Sequence, residues 1–429
     1  MIYQNTPEFA SSLDAQDPLK EFRSKFFIPQ HNGNDAIYLC GNSLGLQPVT
    51  ARQYLDEKLD NWKDLAIEGF FMGDNPWLGY HRELTPILAE LVGAKTEEVT
   101  VMNSLTVNLH LMMVSFYKPN SKRYKIIMEG GAFPSDQYAL ASQARFHGFE
   151  PKDAIIEVFP RKGEVTLRTE DIIEVIDKNA DELAVVLFGG INYYTGQFFD
   201  LAAITKAGHK AGAYVGFDLA HAAGNVILRL HEWDVDFACW CSYKYMNSGP
   251  GGISGLYVHE KHFGNTELNR FNGWWGYRED ERFLMTPNFK AEYGAAGWQL
   301  STGHVMLLAL HKAALDIFNE AGGITDLRRK SDALTAYLEF VIEEINKNSN
   351  EDIFKIITPK NQTDRGAQLS IVCKRNAKAI FNHLTANGVI GDWREPDVIR
   401  LSPVPLYNTF TDVFEAGKIL NEAVKVNRD

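Results

Sequence analysis

Seven short apolar runs punctuate the middle of the chain. They are EVTVM (98–102), YKIIM (124–128), DAIIEVF (153–159), LAVVLF (183–188), AYVGF (213–217), DFACW (236–240) and ISGLYV (253–258). They are too short for helices and rich in β-branched and aromatic residues, so they read as strands. Most intervals between them carry helical spacing, as in LTVNLHLMMVSF (105–116), PSDQYALASQARF (134–146) and LAAITKAGHKAG (201–212). Strands alternating with helices imply an α/β domain: a mainly parallel seven-stranded sheet with helices on both faces. Only a short glycine-rich break precedes the seventh run, which leaves room for an antiparallel last pairing. Before the runs, Leu55, Leu59, Trp62 and Ala66 mark an amphipathic helix after Gln47-Pro48.

Beyond residue 300 the pattern changes. Helical spacing over HVMLLALHKAALDIF (304–318) and 326–347 is followed by strand candidates AQLSIVCK (367–374) and VIRLS (398–402), with helices before and after the second. The expected organisation is an N-terminal arm and the start of the first helix over 1–50, a large α/β domain over 51–320 and a small α+β domain over 321–429. The stretch 264–300 is a long loop rich in Trp, Gly and Arg, and loops of that length are functional or intersubunit.

Composition narrows the function. The chain has 429 residues, 45% hydrophobic and 23% charged, with a net charge of −12. That is ordinary globular usage, and the acidic balance disfavours a broad nucleic-acid or anionic-membrane surface. The N-terminus lacks a basic start and an apolar stretch, and no run of about 18 apolar residues occurs, so neither a signal peptide nor a spanning helix is expected. A cytoplasmic protein is the expectation. Four cysteines without a CxxC pair indicate neither a disulfide scaffold nor a zinc ribbon. There is no HExxH, GxGxxG or GxxxxGK[ST], and His259 and His262 read as surface residues. No metal is expected.

In an open α/β sheet ligands sit outside the carboxyl ends of the strands, and polar residues crowd those ends here. Lys244 stands between Tyr243 and Tyr245 ahead of Gly249-Pro250-Gly251-Gly252. It is either a solvated surface lysine or, in an aromatic setting that lowers its pKa, a Schiff-base nucleophile. Asp218 at the end of AYVGF is either a helix cap or the carboxylate that keeps a pyridine nitrogen protonated. His221 packs in the core or lies beside that ring, and Phe133 is core or stacks on it. Ser104, Leu105 and Thr106 open a helix whose free N–H groups suit a phosphate, although a plain Ser cap explains them equally well. Asp136 caps the helix after Pro134 or supports the cofactor. Arg400 in a short strand is salt-bridged or clamps a carboxylate. Ser43 lies in a turn.

Taken together these segments resemble the kynureninases, pyridoxal-phosphate enzymes of fold type I. The matching stretches are GNSLGLQP (41–48), SLTVNLHLMM (104–113), FPSD (133–136), YYTGQ (193–197), YVGFDLAHAAGN (214–225), WDVDFACWCSYKY (233–245), GWWG (273–276) and IRLSPVPLYN (399–408). The resemblance implies hydrolytic Cβ–Cγ cleavage of L-kynurenine, or its 3-hydroxy form, to anthranilate or 3-hydroxyanthranilate and L-alanine, in tryptophan catabolism or NAD biosynthesis. It implies Lys244 as the Schiff-base lysine that also moves the Cα proton, and Asp218 as partner of the ring nitrogen. Phe133 stacks on the ring, supported by Asp136 and His221. Leu105, Thr106 and Tyr243 bind the phosphate, together with Trp274 and Thr302 from the partner chain of a homodimer with shared sites. Tyr243 is also the expected proton donor near the γ-carbonyl. Arg400 holds the substrate α-carboxylate, with Ser43 and Phe70 near the substrate. Three positions depart from common family patterns: Gly189 where members often carry Ser, Thr302 where some carry Asn, and Phe70 where the animal-type enzyme has His.

Two other readings compete. A related fold type I enzyme, such as an aminotransferase or a cysteine desulfurase, is one; the desulfurase needs a mobile cysteine, and Cys239 and Cys241 alternate with Trp240 in a strand. A cofactor-fold protein acting only through protein contacts is the other, and an intact Lys244–Asp218 pair argues against it.

Overall fold

All seven runs are strands of one sheet. In chain order they are β1 (Val99–Val101), β2 (Lys125–Glu129), β3 (Ile155–Val158), β4 (Leu183–Gly189), β5 (Tyr214–Asp218), β6 (Phe237–Trp240) and β7 (Gly255–Val258). Their order across the sheet is β1-β7-β6-β5-β4-β2-β3. β3, β2, β4, β5 and β6 pair in parallel, and β7 runs antiparallel to both β6 and β1. The mainly parallel α/β expectation holds, with the antiparallel pairing at the short 241–254 connection. The computed structural model describes residues 2–349 and 351–427.

The chain divides into two units. The larger comprises Ala51–Tyr193 and Phe199–Leu315; the smaller comprises Met1–Thr50, Tyr194–Phe198 and Asp316–Asp429. In the larger unit three helices matter most: α1 (Ala51–Leu65), α2 (Leu105–Phe116) and α3 (Pro134–Phe146). α2 shows why the sequence folds as it does. Asn103 turns the chain at φ 51°, a left-handed position that asparagine tolerates. Leu109, Met112, Met113 and Phe116 then bury one face at helical spacing against Phe237, Cys239, Leu256 and Val258 of the sheet. The Phe116 and Phe237 rings stack at 4.8 Å, and each such buried side chain contributes about 2 kcal/mol. Gly255 is required by the same packing, because a Cβ there would lie 2.0 Å from the Trp240 ring.

α1 departs from expectation. Leu59 and Trp62 of its apolar stripe are exposed, and its buried residues are Ala51 and Lys58, the latter's ammonium lying 4.3 Å from the Tyr80 ring centroid. Exposed apolar side chains continue through Ile67, Phe71 and Met72, and recur at Trp274, Phe283, Leu284 and Met285.

The smaller unit holds a four-stranded antiparallel sheet of β8 (Phe354–Ile356), β9 (Leu369–Cys373), β10 (Asp392–Arg394) and β11 (Val398–Leu401), in the order β8-β9-β11-β10. Helices Gly323–Ser349, Ala377–Ala386 and Phe410–Val426 belong to this unit and share its core of Leu334, Leu338, Leu369, Ile371, Leu384, Leu401 and Leu420. The N-terminal segment, expected as an arm, is folded into this unit from residue 2 onward. Helix Pro7–Gln16 buries Ala10, and Asp14 accepts the Phe410 and Thr411 N–H groups at 2.6 and 3.0 Å, capping the last helix. Asp17 pairs with Lys330 at 2.7 Å. Residues 194–198 also join this unit: Phe198 N–H reaches the Asp364 carbonyl at 2.8 Å, and the Ser370 hydroxyl reaches the Tyr194 carbonyl at 2.5 Å. Among the described residues no helix is long and apolar enough to cross a membrane.

Candidate active site

Three neighbouring strands of the larger unit end in Glu129 (β2), Gly189 (β4) and Asp218 (β5), and the register pairs Gly189 with Asp218. Asp218 is buried, and its Oδ1 accepts the Ala220 N–H at 2.8 Å. It therefore shapes its own turn and caps no helix. The start of α3 ties this carboxylate to the start of α2 through two consecutive residues. The Ser135 hydroxyl lies 2.8 Å from the Thr106 hydroxyl, and Asp136 is hydrogen-bonded to Asp218.

The electrostatics follow from burial. Desolvation pushes both carboxyls up, Asp136 well above the usual range, where the neighbouring Asp218 and Glu129 charges add to the effect. Asp218 rises less, because it accepts from Ala220 and from Asp136 and lies near the Lys244 charge. Two carboxylates at hydrogen-bond distance cannot both ionise cheaply, so the pair is raised together and shares a proton across its hydrogen bond. The Lys244 ammonium lies 5.9 Å from the Phe133 ring centroid. Phe133 is 45% exposed and meets Tyr193 edge-on at 5.3 Å. Burial raises the Tyr243 phenol, and its hydrogen bond to the Cys241 thiol adds to that. His221 is buried and its carbonyl accepts from Asn225.

These residues suit a planar ring carrying a phosphate. α2 and α3 both begin without a side-chain cap, and Ser104 is exposed rather than bonded back to the helix. The plain Ser-cap reading is thereby removed. Two adjacent helix starts, held together by a hydroxyl pair, direct N–H groups and positive dipole ends to one place. Asp218 offers a carboxyl oxygen for a ring N–H, and Phe133 offers an exposed aromatic face. Lys244, Tyr243, Asp218, Asp136, Phe133 and Thr106 thus share the carboxyl edge of one sheet.

Other expected residues have contacts of their own. Trp274 packs on Trp275 and Phe283, with ring centroids 5.8 and 5.6 Å away, and Thr302 is exposed. Neither bonds to the strand-end group among the described residues. Phe70 meets Trp77 edge-on at 5.2 Å and Trp275 at 6.3 Å. In the smaller unit, Arg400 is 1% exposed and ion-paired with Asp392, which also accepts the Ser43 hydroxyl and Arg394. His259 and His262, expected on the surface, are buried: His262 donates to Asp236 at 2.8 Å, and His259 stacks on His231 at 4.9 Å beside Glu98. The reason is that β7 runs antiparallel, so its last residues reach the opposite edge of the sheet from Lys244 and join the start of β6.

Sequence reasoning missed Glu129, Asp392 and Arg394. Glu129 is fully buried and accepts from Asn192 at 3.3 Å and from the Gly189 backbone. Its signal was present, a carboxylate directly at a strand end, like Asp218. Asp392 is the cross-strand partner of Arg400, and only the register of β10 on β11 reveals it.

Comparison with known proteins decides the family. The Kynureninase C-terminal domain family matches residues 327–420. A kynureninase of Flavobacterium psychrophilum is 55% identical over 427 residues, all of both chains, and one of Nematostella vectensis is 49% identical over 97% of this chain and 94% of its own. The chain belongs to the kynureninase family. Among solved structures, a cysteine desulfurase of Escherichia coli superposes with a TM-score of 0.74 at 15% identity, over 95% of this chain and 99% of its own. A cystine C–S lyase in complex with cysteine persulfide gives 0.74 at 16% identity, over 90% and 97%. At those identities the likeness establishes the shared fold type I architecture alone. All four cysteines of this kynureninase-family chain are buried. Burial raises the Cys239 and Cys241 thiols, the former strongly, which disfavours a reactive thiolate.

Proposed function

We propose that the protein hydrolyses L-kynurenine to anthranilate and L-alanine by cleaving the Cβ–Cγ bond with one water molecule, using pyridoxal 5′-phosphate. When bound, this cofactor supplies an aldehyde carbon that takes up the substrate amino group and a protonated ring that withdraws the electron pair released at Cα. The observation that carries the reading is the pair Ser135–Thr106 and Asp136–Asp218, which joins an uncapped double helix start to the buried Asp218 carboxyl on the edge that also bears Lys244.

Each residue then has a task. Lys244 would hold the cofactor covalently and would serve as the base for the Cα proton. Asp218 keeps the ring nitrogen protonated, and Asp136 shares a proton with Asp218. Phe133 and His221 confine the ring. The N–H groups of Leu105 and Thr106, with Tyr243, hold the phosphate. Tyr243 is also the proton donor at the γ-carbonyl oxygen, because its raised phenol keeps its proton at neutral pH. Arg400 binds the α-carboxylate. Ser43 lies near the substrate, its hydroxyl donating to Asp392. Phe70 faces the substrate ring.

Two copies form a homodimer with shared sites, Trp274 and Thr302 reaching the partner's phosphate. The exposed apolar side chains of α1 and the 264–300 stretch support this, since contiguous exposed apolar surface marks an interaction face. The residues assigned to the cofactor belong to the larger unit, and Arg400 belongs to the smaller. We place the protein in the cytoplasm, in tryptophan catabolism or NAD biosynthesis; four cysteines, none in a disulfide, suit a reducing compartment. The test is incubation with L-kynurenine, expecting fluorescent anthranilate and an equal amount of alanine. Sulfide release from cysteine with no anthranilate would reject the assignment.

A further inference from the structure

Three side chains of the larger unit meet at the edge of the large sheet opposite Lys244. Glu98 immediately precedes β1, His259 immediately follows β7, and His231 lies in the connection between β5 and β6. Glu98 is fully buried, and two backbone groups fix its carboxylate: the Lys95 N–H donates to Oε2 at 2.9 Å and the Glu260 N–H to Oε1 at 2.8 Å. His231 Nδ1 lies 3.0 Å from Oε1 and 3.1 Å from Oε2. The His259 ring is the informative one. Its Nδ1 accepts the Lys261 backbone N–H at 3.1 Å. A backbone N–H can only donate, so this nitrogen carries a lone pair and no proton. Its Nε2 then bears the proton, 3.3 Å from Asp234 Oδ1. Yet Nδ1 also lies 3.7 Å from Glu98 Oε1. Two electron-rich atoms are thus held close with no proton to place between them, at a spacing too long for a hydrogen bond. Ligand atoms bound to a tetrahedral zinc at about 2.0 to 2.1 Å lie about 3.3 Å apart, so this gap has to close by only a few tenths of an ångström. One donor atom each from Glu98, His231 and His259 falls within 4.8 Å of the others.

We propose that Glu98, His231 and His259 form a site for a divalent transition-metal ion of the zinc class, a clamp that ties the start of β1 and the approach to β6 to the end of β7. Two imidazoles and a carboxylate are a zinc donor set that leaves a fourth position for water. The His231 side chain is 31% exposed, which gives the ion a path in. On binding, the ion replaces the proton between His231 and Glu98, and that proton leaves to solvent. The His259 lone pair passes from the Lys261 N–H to the ion, and Lys261, an exposed residue, exchanges that bond for water. The Lys95 and Glu260 N–H groups keep the carboxylate oriented, and Asp234 orients His259 through Nε2, the outer support such sites need. Asp234 itself is held by the Lys261 ammonium at 2.8 Å, which makes it a partner of His259 and not a fourth ligand.

The test uses the untagged, cofactor-loaded protein, stripped of metal by a chelator and dialysed against about 10 μM free zinc, enough to fill a site of micromolar affinity. Plasma emission should find one zinc per chain. Zinc at about a hundred times its dissociation constant should raise the melting transition by about 3 °C. His231→Gln removes one ligand at a partly exposed position and should weaken zinc binding about a hundredfold or more, abolishing the rise. Glu98→Gln should do the same; should it fail to fold, His231→Gln decides alone. His147→Gln, an exposed histidine outside the group, should change neither reading. A wild type that binds no zinc would overturn the site and leave a hydrogen-bonded cluster only. Zinc kept by His231→Gln at the wild-type level would put the ion elsewhere and overturn the assignment. Zinc bound by the wild type and lost in His231→Gln, but without a rise in the wild-type melting transition, would overturn the clamp.

Discussion

Glu129 offers a stability test whose sign is unusual. Burial raises its carboxyl from 4.5 to about 7, against the lowering effect of its hydrogen bonds to Asn192 and the Gly189 backbone, and the Asp218 charge adds to the rise. The folded protein therefore holds this proton to a higher pH than the unfolded chain does. For such a group the stability contribution is complete below the unfolded value and is lost as pH rises through the folded one. At about 1.4 kcal/mol per pH unit, the loss amounts to about 3 kcal/mol in alkaline solution. Glu129→Gln keeps the shape and the acceptor for Asn192 but cannot ionise. Relative to wild type it should gain about 2 to 3 kcal/mol between about pH 5 and about pH 8.5, which corresponds to about 2 to 5 °C in the melting transition of a protein this size. Calorimetry on cofactor-stripped protein at the two pH values measures this without a binding contribution. An equal gap between variant and wild type at both values would refute the reasoning, because a packing effect does not titrate.

Asp218→Asn should lower turnover by about a thousandfold or more while leaving the fold intact, since it removes the anion that keeps the ring protonated; near-normal turnover rejects the role. Lys244→Ala should abolish turnover, and borohydride fixation followed by peptide mapping should place the pyridoxyl group on Lys244 in the wild type and on no other lysine. Phe70 offers no hydrogen bond to a ring hydroxyl, so the wild type should prefer L-kynurenine over its 3-hydroxy form by roughly tenfold in kcat/KM. Phe70→His should narrow that preference, and unchanged discrimination would show that Phe70 serves only its contacts with Trp77 and Trp275. Mixing Lys244→Ala with a Thr302→Ala, Trp274→Ala double variant should restore part of the activity through hybrid dimers, and a fully active monomer in sedimentation would contradict shared sites.

The seven apolar runs announced the large sheet because each strand is buried and pairs with neighbours that local spacing already suggests. α2 and α3 were legible to the residue, since their starts coincide with Ser104 and Pro134 and their buried faces repeat at helical spacing. What escaped depends on distant partners. The burial of His259 and His262 follows from the direction of β7, which a glycine-rich break does not encode. Leu59 and Trp62 show the converse: helical spacing predicts an apolar face and says nothing about what covers it. In the site, Lys244, Asp218, Asp136 and Thr106 were found as polar residues at strand and helix ends. Glu129 was passed over because it closes a strand in the same way as many solvated glutamates. Asp392 was invisible because its meaning lies in standing opposite Arg400 across a ladder.

The smaller unit is discontinuous, drawing on Met1–Thr50, Tyr194–Phe198 and Asp316–Asp429, and this sets an order of events during synthesis. Its first helix leaves the ribosome early, yet Asp14 caps a helix that begins at Phe410. The N-terminal 50 residues must therefore wait, with their apolar side chains uncovered, until nearly the whole chain has been made. Residues 51–315 contain the entire seven-stranded sheet and can condense meanwhile, apart from the short 194–198 excursion that awaits β9 and Asp364. Contacts that close loops of nearly 400 residues are slow to form, so the smaller unit is expected to complete last, and a C-terminal fragment expressed alone would lack its first helix and that inserted segment.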